Sequence, residues 1–161
     1  MPETWDSFFL GQLGATAALA GLLFVAVSIN VERIVKVGGL ADRAFEVLVT
    51  LLAILTMAGL MLIPQQSLVA MGVEIVVVAA LATAFGLALG VRGVRQTEIR
   101  HRRHFAFGLA MFAIALALCL AGGIVLLAGS PLGLYWVAAG MCLGIVKAVV
   151  DAWVLLVEIN R

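Results

Sequence analysis

Charge is what this sequence has least of. Only 12% of its 161 residues are Asp, Glu, Lys or Arg, about half the share of an ordinary soluble domain. That scarcity excludes a water-soluble globule. The net charge of +1 excludes the strongly basic face that a nucleic-acid partner would call for. Two cysteines, with no CxxC and no histidine beside them, exclude a zinc knuckle and a disulfide framework. Met1 to Ser7 holds no lysine or arginine but does hold Glu3 and Asp6, which is not the start of a cleaved signal peptide. Enzyme signatures are missing as well. Ser7, Ser28, Ser67 and Ser130 have no nucleophile-elbow context, and there is no HExxH, P-loop or dinucleotide fingerprint. No enzyme activity, cofactor or metal is expected.

What is there is apolar. Hydrophobic residues make up 65% of the chain, 17 more are glycine, and the mean hydropathy is +1.22. A membrane-crossing helix takes roughly 20 apolar residues, and the runs predict an all-α bundle of five spans in one domain. The spans cover about 8–30, 47–64, 68–91, 105–129 and 134–157. Pro64-Gln65-Gln66-Ser67 and Ser130-Pro131-Leu132-Gly133 read as turns. The third span starts at Leu68 or at Val73.

Every lysine and arginine except Lys147 falls on one side of this arrangement. Arg33, Lys36 and Arg43 follow the first span. Arg92, Arg95, Arg100, Arg102 and Arg103 follow the third, and Arg161 ends the chain. By the positive-inside rule the N-terminus lies outside and the C-terminus in the cytoplasm. Trp5, Tyr135 and Trp136 then sit at the outer interface. The lipid bilayer is the first partner expected, in a multi-pass membrane protein.

Lipid offers helices no hydrophobic reason to associate, so small residues that let backbones approach mark the packing faces. The fifth span carries Gly140, Gly144 and Ala148. The third carries Gly86 and Gly90, and the first Gly14 and Gly21. These seams pack the bundle internally, or at least one of them joins copies of the chain into a homo-oligomer.

Lys147 and Asp151 are the most informative positions. Both lie within the fifth span, Lys147 about 18 Å from its outer end, and their spacing of four puts them on one helix face with Gly140, Gly144 and Ala148. Glu158 lies further along that face, and Trp153 is expected to point to lipid. Each charge alone would cost about 2.5–3.5 kcal/mol at the bilayer centre. Two readings follow: an ion or proton path bordered by the pair, or a lock that fixes helix register with a further partner on a neighbouring helix. Glu74 lies about 9 Å inside the third span if that span starts at Leu68, and is interfacial if it starts at Val73. Gln12 and Thr16 share the face of the first span opposite its glycines and can line a polar path or bond to a neighbouring helix. Arg100, Arg102 and Arg103 can hold anionic lipid headgroups, or serve topology alone. His101 and His104 are too close together to ligate haem from two helices. Cys119 and Cys142 read as packing residues.

The first span and its exit, residues Gly14 to Ile34, carry a resemblance. So does the pairing of Arg43-Ala44 with Leu62-Ile63-Pro64-Gln65-Gln66. Over roughly the first 70 residues the chain resembles a family of small actinobacterial-type polytopic membrane proteins that sometimes carry the label of modulator of the membrane protease FtsH. The resemblance implies a plasma-membrane protein and brings no catalytic or binding residue with it. Two functions are therefore carried forward. One is a small channel or transport protein with Lys147 and Asp151 beside an aqueous path. The other is an accessory or regulatory subunit that docks on a larger membrane complex, such as a membrane protease.

Overall fold

The computed structural model describes residues 3–36, 40–96 and 102–159, which form six helices. They are α1 (Glu3–Ile29), α2 (Val31–Lys36), α3 (Leu40–Met61), α4 (Leu68–Gln96), α5 (Arg102–Leu127) and α6 (Gly133–Ile159). All but the short α2 are long and apolar enough to cross a membrane. That makes the chain a multi-pass membrane protein, all-helical among the described residues.

The helix ends follow from local chemistry. Asn30 ends α1 by donating its side-chain amide to the Ala26 carbonyl at 2.9 Å. Its own carbonyl accepts from the amides of Arg33 and Ile34, which starts α2. Pro64 and the left-handed Gln65 (φ 59°) prevent α3 from running on into α4. Ser67 then caps α4, its Oγ accepting from the Ala70 amide at 3.2 Å. At the end of α5 the Ser130 amide reaches the Val125 carbonyl and the Gly129 amide reaches Leu126. This Schellman closure needs a left-handed residue, which Gly129 supplies at φ +78°.

Helices α3, α4, α5 and α6 form a closed ring in which each packs on the next and α6 returns to α3, while α1 lies outside against α3. Over half of the spanning stretch of α3 (56%) is buried, against 11% for α1, so α3 is the hub and α1 a flanking helix. The ring is filled by Met57, Met61, Met71, Ile75, Phe112, Leu126, Val137 and Met141, all 3% exposed or less. A second cluster, with Leu23, Ile34, Leu40, Val47, Leu51 and Leu155, ties α1 and α2 to α3 and α6. Trp5 meets Tyr135 edge-on with ring centroids 4.9 Å apart. The start of α1 and the start of α6 therefore share one end of the bundle.

Several expected features need correction. The second span begins at Leu40 rather than at 47, while α4 begins at Leu68, the first of the two starts expected. The glycines of α1 do not form an internal seam: a Cβ added at Gly14 or Gly21 would meet nothing within 4 Å. The buried side of α1 is instead the line Phe9, Thr16 and Leu23, which lies well around the helix from the two glycines.

The other seams do pack within the chain. A Cβ at Gly140 would lie 2.7 Å from the Ala115 carbonyl oxygen, and one at Gly144 would lie 2.8 Å from Ile54 Cδ1. Gly86 faces the Phe112 ring, and Ala148 is buried. The packing of Gly90 lies outside the described surroundings. Two contacts were not anticipated. The adjacent glycines Gly122 and Gly123 serve different neighbours, Gly122 facing Gly133 of α6 and Gly123 facing Gly72 of α4. Consecutive residues point about 100° apart on a helix, which suits a helix wedged between two others.

Candidate functional site

The face of α6 that carries Gly140, Gly144, Lys147, Ala148, Asp151 and Leu155 is buried, whereas Val146, Val149, Val150 and Trp153 are exposed. Trp153 is 69% exposed and points outward, as its position opposite the charges requires. The absence of a side chain at Gly144 lets Ile54 of α3 close onto α6. Two to three turns nearer the start of α3, that close approach brings Glu46 and Arg43 against Lys147 and Asp151.

Lys147 Nζ donates to Glu46 Oε1 at 2.6 Å and to Asp151 Oδ2 at 2.7 Å. The Phe112 ring of α5 lies 5.1 Å from the same nitrogen. An ammonium has three N–H groups; two carboxylates and an aromatic face surround this one. Arg43 Nη2 lies 3.7 Å from Asp151 Oδ1. The result is a four-residue cluster with two formal positive and two formal negative charges, drawn from α3 and α6. Thr50, one turn from Glu46, donates its hydroxyl to the Glu46 carbonyl at 2.8 Å.

Neutrality of the group as a whole is what makes it tolerable in a bilayer. Each isolated charge would cost about 2.5–3.5 kcal/mol at the bilayer centre, while a paired group with its hydrogen bonds made recovers much of that. Side-chain exposure is graded through the cluster: 1% at Lys147, 7% at Glu46, 10% at Asp151 and 18% at Arg43. It is therefore deepest at Lys147 and opens toward Arg43, three residues from the start of α3.

Sequence reasoning brought Lys147 and Asp151 together and asked for a further partner on another helix; Glu46 of α3 is in that position. Glu46 and Arg43 went unselected because the apolar run was counted from Val47, leaving both in the preceding loop. A signal was present. Arg43, Glu46 and Thr50 follow one another at three- and four-residue spacing, one polar stripe leading into the apolar run.

The remaining candidates lie elsewhere. Gln12 and Thr16 face inward on α1. Thr16 is fully buried and donates to the Gln12 carbonyl at 2.6 Å, and Gln12 Nε2 donates to Cys142 Sγ at 3.4 Å. Glu74 lies in the second turn of α4, at the opposite end of the bundle from Arg43. There Gln66 Nε2 donates to both its oxygens, at 2.8 and 2.9 Å. Replacing Glu74 with alanine is expected to lower stability by about 1.5–3 kcal/mol, the worth of a hydrogen bond to a charged group. Glutamine at 74, which keeps an acceptor for Gln66, should restore most of it in a detergent unfolding series. Cys119 and Cys142 are both free. Arg100 lies outside the described residues. Arg102 and Arg103 open α5 and Glu158 falls in the last turn of α6, but their side chains lie outside the described surroundings. No group of three His, Cys, Asp or Glu side chains that could hold a metal ion occurs among the described residues.

Comparison with protein-family models, with curated proteins and with solved structures finds no match to this chain.

Proposed function

We propose that this protein is a small, non-catalytic membrane transport protein or channel in which the Arg43–Glu46–Lys147–Asp151 cluster borders an aqueous path. The observation that carries this reading is the graded cluster itself. Ionisable groups inside membrane helices mark ion and proton pathways by default, and this set runs from nearly complete burial at Lys147 to the less buried Arg43, three residues from the start of α3. In this reading the cluster exchanges a proton or cation. The end with Arg33, Lys36 and Arg43 faces the cytoplasm of a bacterium, in keeping with the positive-inside rule.

A second reading, an accessory subunit docked on a larger membrane complex such as a membrane protease, is favoured by α1. Its Gly14 and Gly21 face outward with open space around them, and the stretch that resembles the FtsH-modulator family begins at this helix. The same face would serve self-assembly into a homo-oligomer, which the proposal includes.

Flux in liposomes separates the two readings. The comparison variant is Glu46→Gln/Lys147→Met, which removes one ion pair and leaves Arg43 and Asp151 matched. Proton or cation flux from the parent, lost in this variant while it still inserts and stays monodisperse, is the expected result. A parent that passes neither protons nor alkali cations under an imposed gradient removes the transport reading. Copurification with a membrane complex, abolished by Gly14→Leu/Gly21→Leu, would then be expected.

A further inference from the structure

Each of the four ring helices contributes one buried sulfur in the half of the bundle nearer Glu74. Met57 of α3, Met71 of α4, Cys119 of α5 and Met141 of α6 are all 3% exposed or less and belong to one packed cluster. Contacts between the helices fix their levels. Ile54 of α3 meets Gly144 of α6. Met57 and Met141 each lie three residues from that contact on antiparallel helices, both toward the Glu74 end, and so share a level about 4.5 Å beyond it. Met57 is four residues before the end of α3 and Met71 three residues after the start of α4. The short turn between these helices therefore places both methionines about 4.5–6 Å from the same end. Cys119 Sγ lies against Gly140, where a built Cβ would be 2.5 Å from it, and Gly140 is the residue before Met141.

Methionine often fills gaps in cores, a task that leucine performs about as well. Leucine cannot bind a metal. Thioether and thiolate sulfurs are soft donors that select copper(I), and helix bundles build metal sites in their cores from side chains on facing helices. Hard ions find little to hold them here. The buried oxygen-bearing side chains of the ring, Glu46, Thr50 and Asp151, all lie toward the other end, and Lys147 is about 9 Å along α6 from Met141. The sulfur end is also the acidic end. Asp6 and Glu74 lie there, with no lysine or arginine among the described residues, which draws cations to that face.

We propose that Met57, Met71, Cys119 and Met141 form a site for a soft monovalent metal cation, copper(I) or silver(I). Cys119 binds as the thiolate, because a coordinating thiol is deprotonated outright. Its proton passes to bulk water, so the loaded site carries no net charge into the bilayer. This deepens the transport reading by naming a substrate class, and rests on it for anything beyond binding.

The test is copper(I) binding by the purified full chain in detergent, with a reductant present and a copper(I) chelator as competitor. Cys142→Ala is the common background, which removes the exposed thiol. The expected result is one copper(I) per chain, a proton released on binding, and an X-ray absorption spectrum with sulfur ligands only. Met57→Leu/Met71→Leu/Met141→Leu conserves volume, so it should keep its unfolding midpoint and lose the metal. Met141→Leu alone is the second variant, expected to bind more weakly and through fewer sulfurs. No copper(I) uptake by the background protein, oxygen or nitrogen ligands in its spectrum, or undiminished affinity in either leucine variant would overturn the site. Binding is read without a gradient. Copper binding with no flux of copper, protons or alkali cations ends the transport reading alone. Proton or alkali flux from a chain that takes up no copper ends the site alone.

Discussion

Replacing Lys147 by methionine alone is expected to destabilise the protein by about 3–5 kcal/mol, the range found when one member of a buried ion pair is removed. The reason is the pair of carboxylates left behind. Glu46 and Asp151 both take their short contacts from this one ammonium. Without it, two negative groups remain buried between α3 and α6, with Arg43 Nη2 3.7 Å from Asp151. Reversible unfolding in mixed micelles, followed by tryptophan fluorescence, reads the loss directly. Glu46→Gln/Lys147→Met should be less destabilised than Lys147→Met, because the second change removes the uncompensated charge created by the first. A double variant as unstable as the single, or more so, would mean that the pair does not join the two helices. Against a total stability of about 5–15 kcal/mol for a folded domain, the single substitution takes a large share.

Valine at Gly122 is expected to have a comparable effect by a different route. A Cβ there would lie 2.7 Å from the Gly133 carbonyl oxygen and 2.8 Å from the Val137 amide nitrogen. Both are backbone atoms, so no side-chain rotation relieves the overlap, and α5 must move away from α6. Overpacking of a tight core costs about 1–3 kcal/mol and sometimes more; with two backbone obstacles the upper end is expected. The readout is a lower unfolding midpoint together with loss of the monodisperse peak in detergent. Gly14→Val on α1 is the control. Its added methyl groups meet open space, so stability should hold within about 0.5 kcal/mol. Equal stability of Gly122→Val and the parent would rule out the close α5–α6 approach.

These two predictions mark where the sequence was legible and where it was not. Lys147 and Asp151 could be placed on one buried face from their spacing and from the glycines one and two turns away, because helical periodicity alone sets which residues share a face. Their partner could not be placed this way. Glu46 is on another helix 101 positions earlier in the chain, one residue before the apolar run begins. A hydropathy reading starts a span where charge stops, so a charged residue inside the first turns of a helix is taken for loop. The same limit hid Gly122 and Gly123. They are neighbours in sequence, not members of a repeating seam, and their meaning appears only when α5 is seen between α4 and α6.

The glycines of α1 show the opposite failure. Gly14 and Gly21 repeat as regularly as those of α6, yet α6 buries its glycine face and α1 turns its own away. Periodicity identifies a face of a helix; it does not say whether another helix lies against it. On α1 the inward face is the one with Thr16 and Gln12: the Thr16 hydroxyl donates within α1 and Gln12 Nε2 donates to Cys142 of α6, while Gln12 Oε1 is buried without a hydrogen-bond partner among the described residues.

By itself, the sequence determined that the chain is all-helical, that five of its helices can cross a membrane, and that Lys147 and Asp151 share a face. Those properties are local: they depend on composition, on run length and on 3.6 residues per turn. The tertiary structure decided that four helices close a ring with α1 outside it, and that Glu46 and Arg43 complete the charged cluster. Each of these depends on which helix faces meet, and that is a matter of side-chain shape and charge matching between residues far apart in the chain.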